Sequence, residues 1–116
     1  MNMYVCSIDL RNDAKALVFA KALSDWMDHL KDRGVILGWT LMRRKLGLSS
    51  DRHRDFLLQI EVEDMAQLDQ AFRTLASHDD TIDSLYRALH DHILAADAGL
   101  FRPFPDSERA ERVAFL

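Results

Sequence analysis

The stretch "VILGWTLMRRKLGLSSDRHRDFLLQIEVED", residues 35–64, decides the fold. Val35, Leu37, Trp39 and Leu41 alternate with Ile36, Gly38, Thr40 and Met42. The spacing predicts a strand that is partly buried on both faces. The chain then turns basic at Arg43, Arg44 and Lys45, and "GLSSDRHR" (47–54) supplies the residues of a turn. In "DFLLQIEVE" (55–63), Phe56, Leu58, Ile60 and Val62 alternate with Leu57, Gln59, Glu61 and Glu63, the period-two pattern of a half-buried strand. Two strands joined by a polar loop predict an antiparallel hairpin.

Upstream, "MYVCSIDL" (3–10) reads as another strand, with Tyr4, Cys6, Ile8 and Leu10 on its apolar side. Asn12 or Asp13 can cap the helix that follows, because a short side-chain oxygen accepts an orphan backbone N–H. Ala16, Phe19, Ala20, Leu23, Trp26, Met27 and Leu30 then recur at helical spacing, and Gly34 suits the left-handed stop. Downstream, Asp64 caps a helix carrying Met65, Leu68, Phe72, Leu75 and Ala76, which "SHDD" (77–80) interrupts. A third helix is expected from about Asp80, with Ile82, Leu85, Tyr86, Leu89, Ile93 and Ala96 as its stripe and Gly99 as its stop. "LFRPF" (100–104) reads as a short final strand, placed at a sheet edge by Pro103, which has no N–H to donate.

At 116 residues the chain holds one domain, expected over residues 1–105, with residues 106–116 as a C-terminal arm or short helix. The net charge of −4 argues against a nucleic-acid or anionic-membrane partner. The single Cys6 excludes an internal disulfide framework. "MNMYVCSIDLRND" has neither a basic leader nor an apolar run, so a cytoplasmic location is the expectation.

The order strand, helix, strand, strand, helix–helix, strand predicts an α+β fold. Its expected form is a ferredoxin-like split βαβ, a four-stranded antiparallel sheet with the helices on one face. The even positions of the first and third strands then meet the helices. Val5, Ser7, Asp9, Leu57, Gln59 and Glu61 point the other way, into a face too apolar for an ordinary wet surface and too polar for a dry core. A second copy covering that face satisfies both conditions. These six residues are therefore expected to line a cavity between facing sheets of a homodimer, with Arg43 and His78 at its mouth.

In "VEDMAQLDQAFRTLASHDDTIDSLYRAL" (62–89), a strand ends in an acidic cap and a short helix leads into a second helical stretch. With the order of elements over residues 3 to 105, this resembles the dimeric α+β-barrel superfamily. That group includes the antibiotic-biosynthesis monooxygenases, the muconolactone-isomerase-like proteins, the stress-responsive barrel proteins and the NIPSNAP-like proteins. The resemblance implies a homodimer whose facing sheets form a barrel, often around a small hydrophobic ligand, sometimes with cofactor-independent oxygen chemistry or haem. Haem-degrading members use an Asn–Trp–His set, whereas both tryptophans here, Trp26 and Trp39, precede the later helices. No cofactor is expected, and no catalytic residue carries over.

Other clusters yield to plainer readings. Arg43, Arg44, Lys45, Arg52, His53 and Arg54 could grip an anion, but basic side chains also keep an edge strand from pairing with strangers. His90 and His92, read on one helix, would point about 200° apart and could not share an ion, so no metal site is expected. Asp25, His29 and Asp32 share a helix face that solvation explains. Cys6 reads as a core thiol.

Three functions remain in view. The first is a homodimeric protein binding a small molecule. The second is a cofactor-independent monooxygenase or isomerase acting on a small aromatic or polyketide-like compound, with Asp9, Gln59, Glu61 and His78 handling protons. The third is an interaction module docking through residues 106–116, where Val113, Phe115 and Leu116 are apolar.

Overall fold

A computed structural model describes residues 1–45, 52–77 and 79–106 of the chain. Seven main elements follow in order: β1 (Asn2–Leu10), α1 (Ala16–Asp32), β2 (Gly38–Arg43), β3 (Phe56–Val62), α2 (Met65–Ala76), α3 (Asp80–His90) and β4 (Ile93–Phe101). The strands form one antiparallel sheet in the order β2-β3-β1-β4. Each half of the fold is a strand, a helical crossover and a strand, which makes the ferredoxin-like split βαβ with its helices on one face.

Local chemistry sets the element ends as the sequence predicts. The Asn12 side chain accepts from the N–H of Ala14 and starts a single 3-10 turn, Asp13–Lys15, that leads into α1. Gly34 takes φ 74°, a left-handed conformation that costs a glycine nothing, and releases the chain from α1. Asp64 caps α2 by accepting from Gln67, and Asp79 caps α3 by accepting from Thr81 and Ile82. Each carboxylate satisfies backbone donors that the first helical turn leaves unpaired.

Phe19, Leu23, Trp26, Met27 and Leu30 of α1 are buried, and α2 and α3 add Leu68, Ile82 and Leu89. They pack on Ile8, Phe56, Leu58, Ile60 and Val62, the even side of β1 and β3. In β2, Trp39 and Leu41 also pack against this core, and the Trp39 indole N–H donates to Asp28 of α1 at 3.3 Å. Strand β2 therefore turns its tryptophan to the helices and leaves Thr40 and Met42 exposed.

The expected third helix needs correction. Helix α3 stops at His90, and Ile93–Phe101 is a nine-residue strand; Ile93 and Ala96 do not continue a helical stripe and Gly99 is no helix stop. The alanine-rich run "ILAADAGLF" has good local helix propensity, but β1 has an unpaired edge that this run satisfies along almost its whole length. Tertiary pairing wins over local preference. Strand β2 also begins at Gly38 rather than Val35, although the Leu37 N–H already donates to the carbonyl of Glu61.

Candidate functional site

The two faces of the sheet carry different chemistry. On the helix side, α1 to α3 stand over β1 and β3 but leave β4 uncovered, so Ala96, Ala98 and Leu100 remain exposed. Between the helices and the sheet lies a cavity of about 270 Å³. Its walls include Tyr4 and Cys6 of β1, Trp26 of α1, Phe72 of α2, and Tyr86 and His90 of α3. Ala96 and Ala98 line it from β4, where small side chains leave room that larger ones would fill.

Aromatic contacts hold these walls in place. The rings of Tyr4 and Phe72 meet edge-on at 5.6 Å, as do those of Trp26 and Tyr86 at 6.5 Å. Tyr86 and His90, one helical turn apart, stack with centroids 3.8 Å apart. No Lys, Arg, Asp or Glu is among the described residues lining the cavity. Three titratable groups that line it are shifted toward their uncharged forms. Burial pushes up the pKa values of the Tyr4 phenol and the Cys6 thiol, and burial pushes the His90 imidazole below its ordinary value. At neutral pH the cavity offers hydroxyl, thiol and imidazole contacts without a formal charge.

Sequence reasoning missed this cavity. It placed Cys6, Trp26, Phe72 and Tyr86 in a filled core or left them undecided, and it assigned Ala96 to a helix. Phe72 is 46 % exposed despite its place on the helical stripe. The available signal was the poverty of bulk in "ILAADAGL" (93–100), which leaves room beside the helices that larger side chains would fill.

No helix among the described residues covers the opposite face. Val5, Ser7, Asp9, Leu57, Gln59 and Glu61 all fall on it, because the register pairs Val5 with Gln59, Ser7 with Leu57 and Met3 with Glu61. All six are half-buried by their neighbours in the sheet alone. Ser7 and Leu57 join Arg43 in a second depression of about 360 Å³ at the basic end of the hairpin. Val5, Gln59 and Glu61 stand apart from it on the same face. Asp9 is committed elsewhere. Its carboxylate accepts from the backbone N–H of Asp55 at 3.0 Å and from the Arg54 guanidinium at 2.8 Å. Arg54 reaches on to Asp97 of β4 at 2.8 Å, so one guanidinium ties β1, β4 and the start of β3 together. The Asp55 N–H, then Arg54, hold the Asp9 carboxyl below its ordinary pKa of 3.8.

The remaining nominated positions do not assemble. His78 and the arm residues 107–116 lie outside the described residues. His90 ends α3 while His92 lies beyond it, and Asp25 pairs with Lys21 while His29 stacks on Trp26. Among the described residues no three His, Cys, Asp or Glu side chains gather in a way that could hold a metal ion. No helix among them is long and apolar enough to cross a membrane.

Along its whole length, residues 1–116, the sequence matches a family of unknown function, DUF6614. The chain belongs to that family. No curated protein matches it in sequence. Solved structures resemble this DUF6614 chain in fold. SnoaB, a cofactor-independent oxygenase from Streptomyces nogalater, aligns with a TM-score of 0.65 at 13 % identity, over 90 % of this chain and 97 % of its own. An uncharacterised NIPSNAP domain protein from Burkholderia xenovorans gives 0.67 at 10 % identity, over 89 % and 94 % of the two chains. A dimeric ferredoxin-like protein of unknown function from Jannaschia sp. CCS1 gives 0.63 at 10 % identity, over 88 % and 98 %. The fold is thus the one expected from the order of elements, and its structural neighbours include dimers.

Proposed function

We propose that this DUF6614 protein is a homodimer that pairs through the open sheet face and binds a small, uncharged, largely apolar molecule in the helix-side cavity of each protomer. The observation that carries the reading is the uncharged lining. A pocket walled by Trp26, Tyr86 and Phe72, with only neutral polar groups, strips water from an apolar ring at little cost but would leave a charged ligand unpaired. A cavity of about 270 Å³ suits a ligand of one or two rings. Dimerisation is supported by the half-apolar open face and by dimers among the structural neighbours.

The test uses 1-naphthol as a neutral probe, read through tryptophan fluorescence. Saturable quenching is expected in the wild type. Ala98→Leu, which adds bulk where β4 meets the cavity, should weaken binding at least tenfold. Equal binding by both forms would remove the cavity from the account. Sedimentation at micromolar concentration should give twice the mass of the chain; a monomer would remove the dimer.

A monooxygenase acting on a small aromatic compound with dioxygen is the second reading. It is favoured by the His90 imidazole, unprotonated at neutral pH and positioned at the cavity wall as a proton acceptor. Oxygen uptake with a phenolic compound, lost in His90→Phe, is the expected result. No uptake across a panel of one- and two-ring phenols would leave binding alone.

A further inference from the structure

We propose that residues 107–116 dock on their own chain, along the uncovered helix-side face of β4 and across the mouth of the helix-side cavity. The proposal goes beyond the reading just given and holds whether or not the cavity takes a ligand.

The mouth is an apolar strip with no cover among the described residues. Ala96, Ala98 and Leu100 of β4 are exposed there. Phe72 of α2 is exposed beside them, with its ring against Tyr4, the residue that the register pairs with Leu100. Contiguous apolar surface of this kind marks a place where something binds. A second copy on the open face cannot cover it, because the strip lies on the other side of the sheet.

The path of the chain leads to this strip. Asn2 and Tyr4 share the helix side of β1, and the Arg102 guanidinium donates to the Asn2 side chain at 2.8 Å. Asp106 in turn pairs with Arg102 at 3.2 Å. The last described residue is thereby held on the helix side, next to the place where Tyr4, Leu100 and Phe72 meet. From Leu100 to Ala96 is about 13 Å along the strand, and ten extended residues reach about 33–36 Å. Residues 107–116 therefore span the whole strip.

The composition of the segment suits the surface. Glu108, Arg109, Glu111 and Arg112 cancel in charge, and Val113, Ala114, Phe115 and Leu116 are four apolar residues in succession. Such a run gains by leaving water, and no Lys, Arg, Asp or Glu among the described residues lines the cavity beneath it. Tethering selects this occupant over a free partner, because a segment joined at Asp106 has an effective concentration on the order of millimolar.

Methyl NMR of the ligand-free, 116-residue chain tests the proposal. Cross-relaxation peaks should join the Leu116 methyls or the Phe115 ring to the methyls of Ala98 and Leu100. In a sample mixed from labelled and unlabelled protein, these peaks should arise within one chain. Against a soluble gadolinium chelate, Leu100 should relax several times more slowly in the wild type than in the double variant Phe115→Asp, Leu116→Asp, with buried Val62 unchanged. Peaks arising only between chains would give the segment to a second copy and overturn the proposal. Leu100 relaxing like exposed Leu17 in the wild type would overturn it too, as would shielding that the double variant leaves intact. The wild-type peaks need no variant, so their absence overturns the proposal even where the double variant fails to fold. Failure of 1-naphthol to bind would sink the ligand reading and leave these results untouched.

Discussion

One face of this sheet is roofed by three helices, and the other is covered by no helix or strand among the described residues. The roofed face buries Ile8, Phe56, Leu58, Ile60 and Val62, yet it keeps a cavity where small β4 residues meet aromatic helix residues. The bare face is tied together by charge instead. Arg54 spans three strands, and Val5 and Leu57 lie between polar neighbours. The contrast teaches that burial and room for a ligand are separable. The face that looks fully packed in sequence holds the more enclosed pocket, while the face that looks half-polar lies open among the described residues.

The contrast can be broken or sharpened by substitution, beginning with the largest effect. Phe19 is fully buried on the helix side and packs on Phe56 with centroids 5.2 Å apart. Phe19→Ala should therefore cost about 3–5 kcal/mol in chemical denaturation. Leu57→Asp places a charge on the bare face. It should weaken the dimer by at least about 2.7 kcal/mol, or roughly a hundredfold, in sedimentation equilibrium, because a charge buried at an interface without a partner is costly. The protomer should stay folded by circular dichroism. If Leu57→Asp unfolds the protomer as Phe19→Ala does, the two faces are not energetically distinct.

Smaller effects test the charge network. Asp9 has a lowered pKa in the folded state, so its contribution is complete above about pH 4 and is lost as the pH falls through that lowered value. Asp9→Asn should cost about 1 kcal/mol at neutral pH and flatten the acid limb of the stability profile. An acid limb unchanged by the substitution would show that Asp55 and Arg54 do not favour the Asp9 carboxylate. Gly99→Ala is the mildest test. A Cβ there would come within 3.2 Å of the Phe101 ring, so the ring must shift, and a loss below about 1 kcal/mol is expected.

Much of this architecture is legible in the sequence because both signals are local. Phe56, Leu58, Ile60 and Val62 alternate cleanly, and the α1 stripe from Phe19 to Leu30 keeps its helical spacing into the core. Asp64 and Gly34 mark ends through their own side-chain and backbone chemistry. Strand β4 is illegible for the opposite reason. Its alanines favour a helix, and only the need of β1 for a second partner makes them a strand. A five-residue "LFRPF" strand is too short to pair with a nine-residue β1, and that mismatch was the readable warning. The helix-side cavity followed β4 out of sight, since its open wall is Ala96 and Ala98. Parity puts Val5, Ser7, Asp9, Leu57, Gln59 and Glu61 on one face, but of these only Ser7 and Leu57 share a depression, because that depends on how the end of the hairpin is arranged and not on alternation along a strand.

The claim that a second copy covers the bare face is tested most directly by methyl NMR with a soluble gadolinium chelate, which relaxes whatever water can reach. Val5 and Leu57 methyls should be shielded nearly as well as those of buried Val62, while Leu17, 87 % exposed on α1, should be strongly relaxed. Relaxation of Val5 and Leu57 at the rate of Leu17 would contradict the account.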